Sequence, residues 1–386
     1  MNFKLFFKGF LVCLSFFVFS CSDSSDDSGN IISDKDCNKI VTIPDVNFKT
    51  KLLSAVADLN NGIASNLEGF VCKIDANGDG IIQVCEAENI SALSLENANI
   101  SSLEGLLYFR NLKSLSIRGN KVKSLDLSSL KKLKFVNVDN NEITDLNVKG
   151  LTNLKELTCN NNLLTTLNVS SLPVLETLYF HFNKISDLNI SNSNNIVDLR
   201  GYYNILTKIE VKQLKNLQIL YLFNNQLTSL DVNNLVNLHS LKCSSNNLTY
   251  LDASNCTSLL DLYCDFNLLE NLNVTNCVKL NSFDFTKNNL KSIDLKGLKS
   301  LNNLQVSNNL LTSLDVRDCP LLDNLGIYNM PDLQSLVIKN GSNLINYFIS
   351  NTPKLNSICC DASELSQIQN QVNLNGYNCI ITTNCF

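Results

Sequence analysis

The chain has 386 residues, of which 44% are hydrophobic and 17% are charged, and its formal net charge is −5. A single compact core is not expected at this length, and such a chain would ordinarily divide into several domains. An open repeat array avoids that division because it grows in one direction. No basic stripe runs along the chain, which argues against a nucleic-acid partner.

The first residues are typical of an export signal. Lys4 and Lys8 precede an apolar run that ends at Phe19 and is too short to be a spanning helix with its own flanks. The run leads into Val-Phe-Ser-Cys, which resembles a bacterial lipobox with Cys21 as the lipid-modified residue. We predict a signal peptide at 1–20 and an anchor on the membrane through lipid alone. Ordinary signal cleavage with an incidental cysteine is the alternative.

Residues 21–38 include the stretch SDSSDDSGN, which has nothing to bury and predicts a disordered tether. An acidic run directly after a lipid-bearing cysteine resembles the export signal of surface lipoproteins in Bacteroidetes-type bacteria. That resemblance implies an outer-membrane protein on the cell surface. A plain solubilising tether would explain the same residues.

A repeat of 21 residues begins at Leu112 and runs through ten consecutive units without insertion or deletion. Its template is LxxLxLxxNxLxxLDVxxLxx, in which position 1 is the first leucine, and the pattern identifies a leucine-rich repeat. The resemblance covers residues 90–360, with altered spacing after Leu322. It implies a β-rich solenoid with a parallel concave sheet, short extended or 3-10 convex segments, and a small helical cap at each end. An 11-residue spacing near the C-terminus indicates that the two halves of a coil are interchangeable.

Position 9 of the template carries asparagine in every unit. An amide in an apolar interior costs about 1–3 kcal/mol if it lacks a hydrogen-bond partner. We therefore predict a buried ladder in which each amide bonds the turn backbone of its own and adjacent coils. The ten residues are Asn120, Asn141, Asn162, Asn183, Asn204, Asn225, Asn246, Asn267, Asn288 and Asn309.

The chain contains 15 cysteines, and those of the array differ from those of the caps. Six occupy inward template positions and are predicted to be unpaired core residues; they are Cys159, Cys243, Cys256, Cys264, Cys277 and Cys319. The cap cysteines lie outside the cytoplasm, where disulfides persist. We predict a Cys72–Cys85 bridge, although the sequence leaves the connectivity open. One or two further bridges are expected among Cys359, Cys360, Cys379 and Cys385.

A helix is predicted just ahead of the array, where the solenoid needs a cap over its exposed core. Asp45 is a candidate N-cap, because its side chain can accept from the first helical N–H groups. The apolar residues that follow fall on one helical face. They are Phe48, Leu52, Val56 and, less strictly, Leu53.

The same N-terminal cap, residues 39–89, contains DANGDGIIQVCE at 75–86, which matches the calcium-loop template D-x-N-x-D-G-x-I-x-x-x-E. The predicted Ca²⁺ ligands are the side chains of Asp75, Asn77 and Asp79, the carbonyl of Ile81, Gln83 directly or through water, and both oxygens of Glu86. We expect a structural role because no second loop is visible to form a switch. A relic loop that folds without metal is the alternative. Internalin-like repeat proteins, which this chain resembles, also open with a helical, EF-hand-like cap.

Residues 361–386 are predicted to form the C-terminal cap. Asp361 and Glu364 have the spacing of a capping box at the start of a short helix. The stretch CIITTNCF is then predicted to be a final strand.

Template positions 3, 5 and 7 are predicted to face the concave side, because side chains alternate along a strand and positions 4 and 6 point inward. Early coils carry small or polar groups there. The middle coils carry rings, which we call the aromatic patch: Tyr179, His181, Phe182, Tyr202, Tyr203, Tyr221, Phe223, Tyr263 and Phe266. Arg200, Asp198, Asp261 and Asp265 lie among them.

Clustered rings on an otherwise polar sheet indicate an interaction site, and tyrosine with arginine is a typical hot-spot composition. The alternative is that cross-strand stacking only stiffens the sheet, at about 0.2–1 kcal/mol per pair. The predicted ligand-binding residues are Tyr179, His181, Arg200, Tyr202, Tyr221, Phe223, Tyr263 and Asp265.

The sequence predicts a binding protein and not an enzyme, because neither of its two histidines falls in a nucleophile, metal or phosphate motif. Surface leucine-rich-repeat proteins act by recognition and adhesion, so the resemblance implies a protein ligand. A glycan stacked on Tyr202, Tyr221 and Tyr263 is the second candidate, and a passive surface protein is the third. We expect a monomer.

Overall fold

The structure is a computed structural model that describes residues 38–342 and 346–385. The predicted signal peptide, Cys21 and all but the last residue of the tether lie outside the described residues, so the lipid anchor stays a prediction. Across the two described ranges, we find no helix with the length and apolar content needed to span a membrane.

The chain winds into a solenoid of short strands, most of them three residues long. In chain order they are β1 (Ala64–Asn66), β2 (Ile90–Ser94), β3 (Ser114–Ser116), β4 (Ser124–Asp126), β5 (Phe135–Asn137), β6 (Asp145–Asn147), β7 (Glu156–Thr158), β8 (Thr166–Asn168), β9 (Thr177–Tyr179), β10 (Asp187–Asn189), β11 (Asp198–Arg200), β12 (Ile219–Tyr221), β13 (Leu230–Asp231), β14 (Ser240–Lys242), β15 (Tyr250–Asp252), β16 (Asp261–Tyr263), β17 (Asn271–Asn273), β18 (Ser282–Asp284), β19 (Asn303–Gln305), β20 (Ser313–Asp315), β21 (Asn324–Tyr328), β22 (Ser335–Val337), β23 (Asn346–Ser350), β24 (Ser357–Cys359) and β25 (Ile380–Thr382).

One strand of each coil joins a 14-stranded sheet in the order β1-β2-β3-β5-β7-β9-β11-β12-β14-β16-β18-β19-β21-β23. Only β1 and β2 pair antiparallel within it, and every later pair is parallel. The second strand of a coil lies on the convex side, in short parallel ladders such as β13-β15-β17 and β20-β22-β24-β25. This confirms the predicted leucine-rich-repeat solenoid.

The 11-residue spacing near the C-terminus also has its predicted consequence. Its segments alternate between the two faces, because β21 and β23 join the concave sheet while β22 and β24 join a convex ladder. The two halves of a coil are therefore interchangeable in this part of the array, since each supplies the same alternation of buried and exposed residues.

The predicted asparagine ladder is confirmed, although Asn183 is half-buried where the other nine are buried, and Asn162 shows its geometry. Its Nδ2 donates to Val138 O of the preceding coil at 2.9 Å and to Cys159 O of its own coil at 3.2 Å. Its Oδ1 accepts from Ile143 N at 3.0 Å. The same three kinds of contact recur from Asn120 to Asn309, so every amide joins two successive coils.

The N-terminal cap contains helices α1 (Val46–Leu53) and α2 (Val84–Glu88). Asp45 caps α1 as predicted, accepting from Phe48 N at 2.9 Å, and its second oxygen accepts from Ser101 N and Ser102 N of the array. Burial alone would raise the pKa of Asp45, but these N–H donors outweigh it and hold the pKa at about 2. One carboxylate thus ties the cap to the first coil, which also contains a 3-10 turn at Leu106–Tyr108.

The predicted apolar face of α1 is correct for Phe48 and Leu52, which are fully buried, and wrong for Val56. The helix ends at Leu53, and the Ser54 N–H closes its last turn on Thr50 O and Lys51 O. Val56 therefore lies beyond the helix and is 40% exposed.

The six array cysteines are free and buried, as predicted. The predicted Cys72–Cys85 bridge is wrong, because Cys72 is free while Cys85 is disulfide-bonded to another residue. The Cys72 N–H bonds Ala64 O at 3.1 Å, and its side chain packs against the hydrophobic core. At the other end one bridge forms, between Cys359 and Cys385, as expected.

In the C-terminal cap, helix α3 (Leu365–Asn375) begins later than the capping-box prediction required. The box is half formed, because Glu364 accepts from Asp361 N at 3.2 Å while Glu364 itself occupies the N-cap position. The Asp361 carboxylate instead accepts from Asn340 N and Gly341 N of a preceding coil. The final strand is present as β25, paired with β24.

Candidate functional site

The aromatic patch lies outside the core, on the concave sheet. Leu220 and Leu222 are fully buried, whereas Tyr221 and Phe223, which alternate with them, are half-buried on the concave face. At the rim Phe182 and Tyr203 are 45% and 46% exposed. The strand register thus brings the predicted ligand-binding side chains from 179 to 265 onto one face of five successive coils.

Position 5 forms a column in which rings and cations alternate. The Arg200 guanidinium lies 4.8 Å from the Tyr179 ring centroid and 5.1 Å from that of Tyr221. The Lys242 ammonium lies 4.9 Å from the Tyr221 centroid and 5.2 Å from that of Tyr263. Strands in parallel register place one such residue directly above the next, so both faces of Tyr221 are covered by a cation.

Position 7 forms a second column of stacked rings. His181 and Tyr202 lie 4.3 Å apart between centroids with an 11° angle between planes, and Tyr202 and Phe223 lie 4.4 Å apart at 8°. Phe182 and Tyr203 stack beside them at 4.7 Å. These separations match the spacing between neighbouring strands of about 4.8 Å, so successive coils hold the rings parallel.

Asp198 holds the side chains at the N-terminal end of the aromatic patch in place. It accepts from Arg200 Nε at 2.9 Å and from Arg200 Nη2 at 2.8 Å, and the Tyr179 hydroxyl donates to it at 2.7 Å. Burial works against the charged guanidinium, but the Asp198 contact outweighs it and raises the pKa of Arg200. Burial and the same carboxylate raise the pKa of Tyr179. Arg200 is therefore held in place as a structural cation.

His181 is the other titratable group of the patch. Burial first and the nearby Arg200 second lower its pKa to about 4, so the imidazole is neutral at pH 7. Its backbone N–H donates to Asn160 Oδ1 at 3.0 Å. His181 consequently acts in the surface as a flat, uncharged ring.

The C-terminal end of the aromatic patch is more polar. Asp265 accepts a hydrogen bond from the Ser244 hydroxyl, and Phe266 lies 4.3 Å beneath the Lys287 ammonium. The Lys242 ammonium connects the Tyr263 ring to the rest of the patch. Asp265 thus borders the aromatic patch. Among the described residues, it makes no contact with the stacked rings.

Sequence reasoning missed Lys242 and the clamp formed by Asp198. The signal was present in the column itself, because position 5 reads Tyr, Arg, Tyr, Lys, Tyr in five successive coils. A strict alternation of aromatic and basic residues at one outward position predicts cation–π stacking between coils. Our prediction considered the rings as a cluster and did not compare neighbours within one column.

The predicted calcium loop is folded around its own carboxylates. Asp75 accepts from the N–H groups of Gly78 at 2.7 Å and Gly80 at 2.9 Å, and Glu86 accepts from Ala76 N at 2.7 Å and Gln83 N at 3.0 Å. Gly80 has φ +78°, which glycine adopts without strain. Ile82 is 1% exposed and belongs to the hydrophobic core, so it anchors the loop.

The side chains expected to bind Ca²⁺ also bond one another. Asp79 Oδ2 accepts from Asn77 Nδ2 at 3.0 Å and from Gln83 Nε2 at 2.7 Å, and the Asp79 N–H donates to Asn77 Oδ1 at 2.9 Å. In residues 38–342 and 346–385 no three His, Cys, Asp or Glu side chains are grouped closely enough to hold a metal. The donor set suits a hard cation, but the two amides would have to turn their oxygens inward to meet it.

Part of the repeat array matches a known protein family. Residues 110–150 match the family described as leucine-rich repeats, in two copies. Among curated proteins, no relative matches this sequence.

The solved structures include an internalin with a similar fold. The functional domain of InlJ from Listeria monocytogenes, described as including a cysteine ladder, shares 25% identity and superposes with a TM-score of 0.66, covering 86% of this chain and 78% of its own. The LRIM1/APL1C complex matches at 20% identity and a TM-score of 0.53, covering 76% and 60%. The internalin InlF from the same Listeria species matches at 22% identity and 0.48, covering 82% and 95%. On its repeats and its architecture, this chain is a leucine-rich-repeat solenoid with an internalin-like fold.

Proposed function

We propose that this chain is a cell-surface binding protein, anchored through lipid on Cys21, that recognises a protein ligand with the aromatic patch. The fold supports recognition in general, because a curved solenoid presents an extended concave surface and contains few groups suited to catalysis. The observation that carries the proposal is the ordered ring array on that surface. Its columns at positions 5 and 7 span residues 179–263 and are fixed by Asp198, Arg200 and Lys242.

The way the rings stack favours a protein ligand over a glycan. A sugar ring binds an aromatic residue by lying on its flat face. Here the faces of Tyr202 are covered by His181 and Phe223, and both faces of Tyr221 are covered by cations. The concave surface therefore presents ring edges and tyrosine hydroxyls. These groups suit edge-to-face contacts and hydrogen bonds with protein side chains.

The double substitution Tyr202→Ala with Phe223→Ala is expected to weaken ligand binding by about thirtyfold, because aromatic hot spots contribute 2 kcal/mol or more. Random dodecapeptides displayed on phage would be selected on the purified full chain in detergent. Their affinities for the wild type and the variant would then be measured by biolayer interferometry.

The matched control is Tyr250→Ala with Phe70→Ala, which removes two exposed rings, on the convex side and in the N-terminal cap. Its binding should equal that of the wild type. The protein-ligand proposal fails if no selected peptide depends on Tyr202 and Phe223. If instead a glycan array gives binding that the double variant loses, the ligand is a glycan.

We also propose that the N-terminal cap binds Ca²⁺ through the side-chain oxygens of Asp75, Asn77, Asp79, Gln83 and Glu86 and the carbonyl of Ile81. Bound Ca²⁺ would draw the carboxylates of Asp75, Asp79 and Glu86 together and offset their mutual repulsion. The loop precedes α2 directly, and Ile82 fixes it to the core, so an ordered loop would stabilise the whole cap.

Calcium is expected to raise the free energy of unfolding of the cap by about 3 kcal/mol at a concentration one hundred times its Kd. Thermal unfolding of the full chain with EDTA, with Ca²⁺ and with Mg²⁺ would measure the shift. Asp75→Asn should abolish it, whereas Glu68→Gln, an exposed cap residue outside the loop, should not. Equal melting temperatures with Ca²⁺ and EDTA would show that the loop folds without metal.

A further inference from the structure

The stack of rings at position 7 ends at Phe223, because the next coil carries Ser244 at the same outward place. Tyr202 covers one face of Phe223 with 4.4 Å between the ring centroids, and Tyr203, from the same coil as Tyr202, meets it at an angle of 79°. Among the residues that the structure describes, no ring or cation contacts Phe223 from the coil of Ser244. This face is the exception on a surface that otherwise presents ring edges.

The small side chain of Ser244 leaves a gap of one coil between Phe223 and Asp265. The parallel register continues through these three residues, so Asp265 stands at position 7 one coil beyond the serine. A ring above Ser244 would lie one strand spacing, about 4.8 Å, from each neighbour. His181, Tyr202 and Phe223 already stack at that spacing. We call the space above Ser244 the Ser244 slot.

The groups around the Ser244 slot favour a neutral ring that carries a donor. The Ser244 hydroxyl donates to Asp265 Oδ1, whereas Asp265 Oδ2 accepts no hydrogen bond from any residue that the structure describes. An N–H or O–H at the edge of a ring could donate to that oxygen. Arginine could also stack on Phe223, but the Lys242 ammonium lies in the same coil, between the rings of Tyr221 and Tyr263, and would repel a second cation.

We infer that the protein ligand inserts a tryptophan or tyrosine ring into the Ser244 slot, where the ring stacks on Phe223 and donates its N–H or O–H to Asp265 Oδ2. This inference rests on the proposed function and adds an aromatic anchor in the partner. Tryptophan and tyrosine are enriched among the residues that dominate binding energy at protein interfaces, and each combines a flat ring with a hydrogen-bond donor. The ligand ring thus becomes the fourth member of the stack at position 7.

Parallel selections of dodecapeptides on the full chain and on its Ser244→Tyr variant test the inference. The new tyrosine would fill the slot and stack on Phe223, so the variant should melt at or above the wild-type temperature. Peptides that depend on Tyr202 and Phe223, here called patch-dependent, should contain tryptophan or tyrosine more often when selected on the wild type. They should bind the variant about thirtyfold more weakly. Thr286→Tyr, which adds a ring at position 7 two coils further on, is the matched control and should leave binding unchanged.

Asp265→Asn tests the hydrogen bond in the slot. The variant keeps an oxygen for the Ser244 hydroxyl but replaces the free Oδ2 by an amide nitrogen. A tryptophan peptide should therefore bind it about tenfold more weakly, whereas the naphthylalanine analogue, which lacks the ring N–H, should be unaffected. Because this chain contains no tryptophan, the fluorescence of the peptide reports the slot directly. Its emission should shift to the blue on the wild type and stay unshifted with Ser244→Tyr.

Three results would overturn the inference. Patch-dependent peptides could bind Ser244→Tyr as tightly as the wild type, or be enriched in arginine instead of aromatic residues. Asp265→Asn could weaken the tryptophan peptide and its naphthylalanine analogue equally. A marked fall in the melting temperature of Ser244→Tyr would show that the slot cannot hold a ring. In each case the proposed function stands, provided that some peptides depend on Tyr202 and Phe223. If no peptide does, the proposed function itself fails.

Discussion

Replacing Asn309 with alanine is expected to lower the free energy of unfolding by roughly 3–6 kcal/mol, because three hydrogen bonds are lost and their buried partners stay behind. The Nδ2 of Asn309 donates to Phe285 O and Val306 O, both at 3.0 Å, and its Oδ1 accepts from Leu290 N at 3.1 Å. The side chain is 2% exposed, so water cannot replace these contacts without opening the coil. Urea unfolding followed by circular dichroism would measure the loss.

Asn289→Ala is the control for this substitution. Asn289 is exposed, and within the described residues its side chain makes no hydrogen bond, so its loss should change the free energy of unfolding by less than about 0.5 kcal/mol. A solenoid can unfold in stages, so hydrogen exchange at Leu290 N should report the weakened coil directly. If Asn309→Ala cost no more than Asn289→Ala, the ladder would contribute little to stability.

The register of the solenoid could be predicted from the sequence because two independent constraints agree. The leucines of LxxLxL require alternation along a strand, and Asn162 and its equivalents require a buried turn at a fixed distance from them. A shift of one residue would bury Tyr221 and expose Leu222, which costs apolar burial in every coil. Ten repeats multiply that cost, so only one register is compatible with the sequence.

The chemistry of the candidate site was predicted only in part, because it depends on contacts between coils. The sequence marks Tyr221 as outward but does not state that Arg200 and Lys242 cover its two faces.

The caps were harder to predict than the array, because each of their features occurs once and no repeat corrects an error. The Cys72–Cys85 pairing was inferred from the location of both cysteines in a cap outside the cytoplasm, whereas Cys72 is held at the β1 turn through Ala64. The error at Val56 has the same origin. A helix boundary depends on a few local hydrogen bonds, and the apolar pattern of α1 extends beyond the residue at which they end.

The core beneath the aromatic patch contains one departure from the repeat template. Gly201 occupies position 6, where other coils carry a larger apolar residue, and Phe180 occupies the same position in the preceding coil. A Cβ on Gly201 would lie 2.0 Å from Phe180 Cζ and 2.2 Å from Cε2. The Phe180 ring is fully buried, so it fills the volume that the glycine leaves. Phe180 and Gly201 therefore pack as a complementary pair.

Gly201→Ala alone is expected to destabilise the protein by about 1–3 kcal/mol, because the new methyl overlaps a ring that cannot move away. Phe180→Ala alone should cost about 3–5 kcal/mol, because it leaves a cavity that glycine cannot fill. The combination Phe180→Leu with Gly201→Ala keeps the total volume nearly constant. We expect it to be less destabilising than Gly201→Ala alone, and urea unfolding of the single and double variants would measure the coupling.

The same pair should influence the surface above it. Phe180 lies between Tyr179 and His181 in sequence, and Gly201 lies between Arg200 and Tyr202, so the position-5 and position-7 columns are attached to the backbone that this pair packs. Gly201→Ala should therefore disturb the stack of His181 on Tyr202 and weaken the binding of patch-dependent peptides, and Phe180→Leu should restore both stability and binding. Simple addition of the two single-variant free energies would contradict this packing. It would mean that the clash at Gly201 is relieved by movement of the backbone, and that the rings of the patch are not held in place by the core below them.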